Sequence, residues 1–555
     1  MDMPSALPEN MLSAVGNIKE RLLWLVSSLT VAQIVVLLLA FPWFFSVLFQ
    51  RRKVLPKAPV LGYRSIFEPT FLLQTRFITN AKDIVANAYK QMKDKPFVLR
   101  RYDVDFMVLP IKCLDEIRLF PVQKLSSRGA QIGVSGSLDS QDFRFTHLSD
   151  KNLNPKWTSI DFLHHSNLHI DVLKKKMQPE LYKYVDMAKE EMEYGWNIEL
   201  PQTDDWTEVC MEKVLRTLVA RMTAAVFLGS PTCRDPQWLK ISIEFSVDLF
   251  TTAFTMKMFP PWMYPIVAYL IPARYRVMRQ LKTGRQIVSQ LTQKHNEAKM
   301  KRSHGGEVYE QDTLLNWMLD HGSPSEIAVP EMGARQCVLT LASIHTTAQN
   351  VCNMLYDLCA HPRWFPVLRE EIDGISEHFG TPGAVDISSK EWCTRLDKLD
   401  SFFVESQRHS PVLLLNPQRL AYESITLKDG THIPAGTRLA FAAKDYQMDP
   451  AVYPDPFVFD PMRNYRKREK SSRPGERELL RAGVTNPENL AFGYGNQACA
   501  GRHFAVAEIK LVMARLLYEF EFKFPDGKGR PKNMYINENI FTDQDATIMM
   551  RKRRF

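Results

Sequence analysis

The chain has 555 residues, with 71 Lys and Arg against 62 Asp and Glu, a formal net charge of +9. Apolar residues make up 45% and charged residues 24%, which excludes wholesale disorder, a collagen-like fibre and a polytopic membrane protein. Eight cysteines form no Cys-x-x-Cys pair and no zinc spacing, so a disulfide scaffold is excluded and reduced cytosolic thiols are expected. The positive charge is spread along the chain and gives no support to nucleic-acid binding.

Residues 1–21 precede an uncharged run over 22–50. The run is long enough to span a bilayer core, which takes about 20 apolar residues. Trp24, Trp43, Phe44 and Phe45 stand towards its ends, as interfacial aromatics do. Arg51, Arg52, Lys53 and Lys57 follow at once. The stronger basic flank is C-terminal, so 1–21 is expected in the lumen and the bulk of the chain in the cytosol. A buried core helix is the alternative. The stretch 51–62, basic and with Pro56 and Pro59, makes a stiff extended connector.

From 63 to 555 there is no repeat, low-complexity linker or second composition class. Short strands are predicted at Phe97-Val98-Leu99 and Met107-Val108-Leu109, a helical middle follows, and strand-like pieces return over 411–440 and near the C-terminus. The fold class is mainly α with small β-sheets, α+β, in a single large domain. A length prior of about 150 residues per domain would give the whole chain three or four domains, so one core of this size calls for a specific reason such as a buried cofactor. The apolar segment 254–273 carries Phe259-Pro260-Pro261-Trp262-Met263-Tyr264-Pro265. The prolines exclude a second spanning helix; a monotopic membrane patch and ordinary core packing both fit.

Gln336 to Tyr356 contains no Asp, Glu, Lys or Arg, as a central buried helix requires. Its polar cluster, Ser343-Ile344-His345-Thr346-Thr347, is read either as chemistry or as hydroxyls bonded to the preceding turn. Glu405 and Arg408 share a helical face at i,i+3. The strip Ser410-Pro411-Val412-Leu413-Leu414-Leu415 comes next, and Arg419 after it. The basic run Arg466, Lys467, Arg468, Lys470, Arg473 is read as a docking site for an acidic partner or as a solvated loop. The most informative stretch is Phe492-Gly493-Tyr494-Gly495-Asn496-Gln497-Ala498-Cys499-Ala500-Gly501-Arg502. Its glycines permit a tight loop, and Cys499 precedes a helix N-terminus, where a thiolate is favoured. A haem iron held by such a sulfur uses its electron push in O–O cleavage. A buried structural cysteine is the alternative.

This loop resembles the Phe-x-x-Gly-x-x-x-Cys-x-Gly signature of cytochrome P450 monooxygenases at Phe492, Gly495, Cys499 and Gly501. The resemblance covers the chain from the proline connector to its C-terminal strands. It implies the haem-thiolate monooxygenase fold behind the membrane anchor, with haem b and its iron held by Cys499. Glu405 and Arg408, about 90 residues before the cysteine, would then form a structural network with Arg463 of Pro461-Met462-Arg463. Thr346 matches the threonine that helps deliver protons in oxygen activation. His345 stands where the family has an acid and Ser343 where it has a glycine, so His345 becomes a candidate proton relay. Arg419 matches an arginine that meets a haem propionate. Two departures stand out. Gln497 replaces the usual His or Arg, and the Trp-x-x-x-Arg element is absent, with Ile170 and Lys174 at its spacing; Lys174 becomes a candidate propionate partner.

The overall look is similar to fungal members that oxidise terpenoids and related secondary metabolites. The resemblance implies an apolar substrate, an endoplasmic reticulum membrane location, and two electrons from NADPH through a separate flavoprotein reductase. No Gly-x-Gly-x-x-Gly turn joins a strand to a helix, so the chain is not expected to bind the nicotinamide. A reductase-independent haem-thiolate isomerase or dehydratase, and a haem-binding carrier, are the rival readings.

Overall fold

The computed structural model describes Thr30 and residues 57–132, 155–257, 259, 263–384, 386–473 and 475–554. The predicted lumenal segment and anchor therefore lie outside the described residues, Thr30 apart. Among the described residues no helix is long and apolar enough to cross a membrane.

The chain builds two main sheets. The first holds β1 (Val60–Leu61), β2 (Phe97–Arg100), β3 (Asp105–Val108) and β4 (Leu125–Ser126). A second sheet starts with β5 (Thr207–Val209). The first is completed by β6 (Gln418–Ala421) and β7 (Arg438–Ala440), and the second by β8 (Phe520–Lys523) and β9 (Ile548–Lys552). The first sheet runs β1-β2-β3-β7-β6-β4 and the second β8-β9-β5. The two predicted early strands pair antiparallel, Phe97 opposite Val108. β3 then joins β7 in parallel, Phe106 opposite Arg438. Nearly all side chains of β2 and β3 are buried, because α1 (Thr70–Met92) covers the sheet with Leu73, Phe77, Ala81 and Val85.

The helical body follows: α2 (Ser127–Ile132), α3 (Leu181–Glu199), α4 (Met211–Leu228), α5 (Pro236–Lys257), α6 (Pro272–Ser303), α7 (Val329–Ala360), α8 (Trp364–Phe379), α9 (Asp397–His409), α10 (Arg463–Lys470) and α11 (Arg502–Glu519). α7 is the predicted charge-free helix. Pro330 and Glu331 in its first turn suit a helix start, where a missing N–H costs nothing and negative charge meets the dipole. It packs against α4, α5, α6, α9 and α11, so nearly every side is covered. Leu215, Leu218 and Met222 of α4, Val351 and Leu355 of α7, and Val512 and Leu516 of α11 share one core. Burying each such side chain contributes about 1.5–3 kcal/mol. In α9, Asp397 and Asp400 lie in the first turn and Arg408 and His409 in the last, each sign matched to the helix dipole.

The segment 254–273 divides its residues. Met256, Tyr264, Val267, Ala268, Ile271 and Ala273 form a small buried cluster, while Ile266, Tyr269 and Leu270 are exposed. The inner face of this segment is thus core, as one of the two expectations had it, and the outer face is an apolar surface.

Candidate active site

Cys499 ends a loop whose shape its glycines make possible. Gly493 and Gly495 have φ of +81° and +70°, where a Cβ is strained. A Cβ on Gly495 would also lie 2.7 Å from Cβ of Arg118. The turn is closed by the Cys499 N–H, which donates to the Phe492 carbonyl at 2.8 Å. Gly501 caps α11 with φ of −90°, and the space a Cβ would fill beside it meets only Met177 Cε at 3.9 Å.

Seven of the eight cysteines are buried or half-buried, and only Cys499 is exposed. Burial nonetheless pushes its thiol pKa up, against the pull of the Gly501 and Arg502 N–H groups and the Arg502 charge. Cys499 is thus exposed at the end of its loop while burial still governs its thiol. The helix-start N–H groups pull towards the thiolate, and desolvation outweighs them. A bound metal cation deprotonates a coordinating thiol outright. Among the described residues no three His, Cys, Asp or Glu side chains gather to hold a metal.

Arg419 has the complementary defect. Its side chain is buried; Nη2 donates to the Tyr494 carbonyl at 3.0 Å and Nη1 to the Gln418 carbonyl at 2.8 Å. Nε has no partner, no carboxylate pairs with the guanidinium among the described residues, and burial pulls its pKa down to about 10. A buried cation of this kind wants an anion. A haem therefore fits the residues present: an exposed cysteine, an open glycine cradle and a buried cation without a counter-charge. Lys174 reaches the same loop, its Nζ donating to the Asn496 carbonyl at 3.2 Å from an exposed position. Gln497 is spent on the protein itself. Its Oε1 accepts from the Ser127 N–H and its Nε2 donates to the Leu125 carbonyl, both at 2.7 Å.

In the middle of α7, Ala342 is exposed although its neighbours along the helix are buried or half-buried, so this face also borders free space. Thr346 lies one turn on. Its Oγ1 donates to the Ala342 carbonyl at 3.0 Å, and Asn350 Nδ2 donates to the Thr346 carbonyl at 2.7 Å. His345 corrects the relay expectation. Its Nε2 lies 3.0 Å from the Ile243 carbonyl and against Ser246 Oγ, both on α5, and burial lowers its pKa to about 4. It is a neutral side chain fixing α7 to α5.

Glu405, Arg408 and Arg463 come together. Arg408 holds Glu405 with two bonds, Nη2 to Oε1 at 2.8 Å and Nε to Oε2 at 2.9 Å. Its Nη1 donates to the Gln447 and Pro456 carbonyls at 2.9 and 2.7 Å. Arg463 Nε approaches Glu405 Oε2 at 3.8 Å. Burial would raise the Glu405 pKa, but the bonds from Arg408 and His409 hold it down to about 2.

The basic run is corrected as a unit. Arg468 is buried against Asp400 at 2.9 Å, while Arg466 pairs with Asp460 and Lys467 with Glu488. Only Lys470 and Arg473 have no carboxylate partner among the described residues. Sequence reasoning missed the role of Gln497 and the pairing of Arg468 with Asp400, each of which depends on contacts across the fold.

A family profile described as Cytochrome P450 matches residues 150–548. Cytochrome P450 monooxygenase ATR4 of Stachybotrys chlorohalonatus is 42% identical over 547 residues, covering 98% of this chain and 99% of that protein. Cytochrome P450 monooxygenase sdnB of Sordaria araneosa is 38% identical, over 95% and 93%. Ent-kaurene oxidase of Gibberella intermedia is 35% identical, over 90% and 88%. Among solved structures, retinoic acid-bound cyanobacterial CYP120A1 aligns with a TM-score of 0.61 at 15% identity, over 90% of this chain and all of that one, a likeness of fold.

Proposed function

The chain belongs to the cytochrome P450 family, and on that premise we propose that it is a membrane-anchored haem-thiolate monooxygenase. It oxidises an apolar terpenoid-derived skeleton, using O2 and two electrons from NADPH passed by a separate reductase. The observation that carries this reading is Cys499, exposed at the end of its glycine loop, with the buried Arg419 bonded to that loop's Tyr494 carbonyl and lacking a counter-ion. The relatives named ent-kaurene oxidases support the terpenoid class. Val412 and Leu413, half-buried in the strip after α9, supply apolar surface for such a skeleton.

Cys499 would hold the iron, and Arg419 and Lys174 would face the propionates. Haem supplies the oxygen-activating chemistry when bound; the protein supplies orientation, exclusion of water and protons. Thr346 Oγ1 donates to the Ala342 carbonyl and keeps two lone pairs, so it would accept from a water and, on rotation, donate to it. Thr346→Ala is expected to keep haem and substrate binding but divert NADPH to hydrogen peroxide. Product per NADPH should fall at least about tenfold, since acid catalysis typically contributes about 10²–10⁴-fold. Unchanged coupling, measured as product and peroxide against NADPH, would remove Thr346 from proton delivery and favour the isomerase reading. His345→Ala is expected to leave coupling unaltered between pH 6 and 8. Its neutral form is the one folded into the α7–α5 contact, with a pKa near 4 against an ordinary 6.5. That contribution to stability is complete above 6.5 and is lost as pH falls towards 4.

The run 22–50 is the single span, with the catalytic domain on the cytosolic face of the endoplasmic reticulum. Ile266, Tyr269 and Leu270 touch the bilayer as a second contact, and Lys470 and Arg473 offer positive charge to an acidic reductase. Removing residues 1–53 is expected to leave haem uptake intact and weaken, without abolishing, sedimentation with membranes. A folded truncated protein that takes up no haem would contradict that separation. The reading as a whole is tested by co-expressing the full chain with a reductase and feeding terpenoid hydrocarbons. NADPH-dependent product supports it; conversion without reductase favours the isomerase.

A further inference from the structure

One buried arginine stands without an acceptor. Arg100, Arg101, Arg335, Arg408, Arg468 and Arg515 are buried, and each has a carboxylate within 3.6 Å. Arg419 has its two carbonyls. Arg438, the first residue of β7, is only 5% exposed, yet among the described residues no oxygen accepts from its N–H groups and no carboxylate pairs with it. Its guanidinium meets the ring of Phe106, 5.6 Å from Cζ to the centroid.

Arg438 does not share the face of Arg419. Leu439 stands opposite Arg419, and Arg438 opposite Leu420. Side chains alternate between the faces of a sheet, so Arg419 points to the cysteine-loop side and Arg438 to the other, where Phe106, Leu414 and Ile540 pack with α1. A haem carboxylate bound at Arg419 is therefore not the partner of Arg438. Asp103 and Glu538 are both held by Arg101 and act on Arg438 only from a distance. Burial and the Arg101 charge outweigh them and pull the Arg438 pKa down to about 10.

The surroundings connect the strip after α9 with the apolar segment 254–273. The Leu414 N–H donates to the Glu538 carbonyl at 2.8 Å. On the other side, burial and the charge of Asp103 push up the Tyr264 hydroxyl, so this segment lies near the β2–β3 turn. A cation left without a counter-ion thus stands between apolar surface read as substrate-facing and apolar surface read as membrane-facing.

We propose that Arg438 is a specificity-determining residue that binds a carboxylate on the substrate, so that the chain takes an apolar terpenoid skeleton already bearing an acid group. The proposal deepens the monooxygenase reading and rests on it. A buried unpaired charge is costly, and a carboxylate matches a guanidinium with two parallel bonds. The reaction that supplies the substrate is then an oxidation of a skeleton carbon to the acid level. A fatty acid from the membrane offers the same chemistry, and the test separates the two sources.

The detergent-solubilised full-chain holoenzyme is titrated with abietic acid, its methyl ester and palmitic acid, followed by the haem absorption shift and by calorimetry. Abietic acid should bind more tightly than either of the others. Arg438→Gln should weaken it about 10–100-fold, the worth of a hydrogen bond to a charged group, and leave the ester unchanged, with Arg438→Lys recovering part of the loss. A second readout is independent of the probe. Arg438 has no ionic partner to strand, so Arg438→Met without ligand should melt no lower than wild type, whereas Arg468→Met, which strands Asp400, should melt lower. A fall in Arg438→Met as large as that in Arg468→Met would make Arg438 a structural strut and overturn the proposal. Equal binding of acid and ester, equal losses for both in Arg438→Gln, or tighter binding of palmitic acid overturns it as well. Each of these results, with haem in place, overturns the assignment alone. A wild-type chain that takes up no haem overturns the haem-thiolate reading and this assignment with it.

Discussion

Exchange of Arg408 for leucine is expected to yield aggregated chain without haem, and Glu405→Gln a protein of sharply reduced stability. Arg408 and Glu405 are both buried and joined by two bonds. Removing one partner of such a pair typically costs about 3–5 kcal/mol, because the other is left charged and out of water. Whole domains are stable by only about 5–15 kcal/mol. Loss of Arg408 would also free the Gln447 and Pro456 carbonyls, which tie α9 to the segment leading to α10. The Glu405 contribution is complete above the carboxyl's ordinary value of 4.5 and is lost as pH falls from there towards 2. Acid unfolding followed by circular dichroism should therefore begin at higher pH in the absence of this pair. A stable, haem-replete Glu405→Gln protein with selective loss of turnover would instead make Glu405 part of the chemistry.

Cys499→Ala is expected to abolish the red-shifted carbon monoxide band of the reduced protein and all turnover. No other cysteine can substitute, since the remaining seven are buried or half-buried in the fold. The Cys499 thiol is raised by burial, and a bound iron would take the place of its proton. The loop around it keeps its shape without the sulfur, because the bond that closes it runs from the backbone N–H. The alanine variant should therefore fold and melt like haem-free wild type, which separates loss of the ligand from loss of the protein. Survival of the band in that variant would refute the assignment of Cys499.

The parts of the site that lie close together in sequence were legible from it. The glycines and Cys499 announce the loop, the charge-free stretch from Gln336 to Tyr356 announces α7, and Glu405-x-x-Arg408 announces a face of α9. What the residues alone could not give is anything set by contacts between distant segments. His345 looks like a proton carrier in a helix without other titrating groups, but its partners Ile243 and Ser246 lie about 100 residues away on α5. The basic run looks like one surface until α10 turns Arg468 inward onto Asp400. Gln497 reads as the loss of a cation, whereas its amide has been redirected to a turn 370 residues earlier. The sheet shows the same limit: β2 and β3 follow from local pattern, but the pairing of β3 with β7 joins ends that no local signal connects.

The central claim is that one atom of O2 is inserted into an apolar carbon skeleton at a site built on Cys499. It is tested most directly by supplying the full chain and its reductase with isotopically labelled O2, NADPH and a terpenoid hydrocarbon, and analysing the product by mass spectrometry. The account predicts one labelled oxygen in the first product for each NADPH productively consumed, and none with Cys499→Ala. A product formed at the same rate without NADPH, or carrying no labelled oxygen, would contradict it.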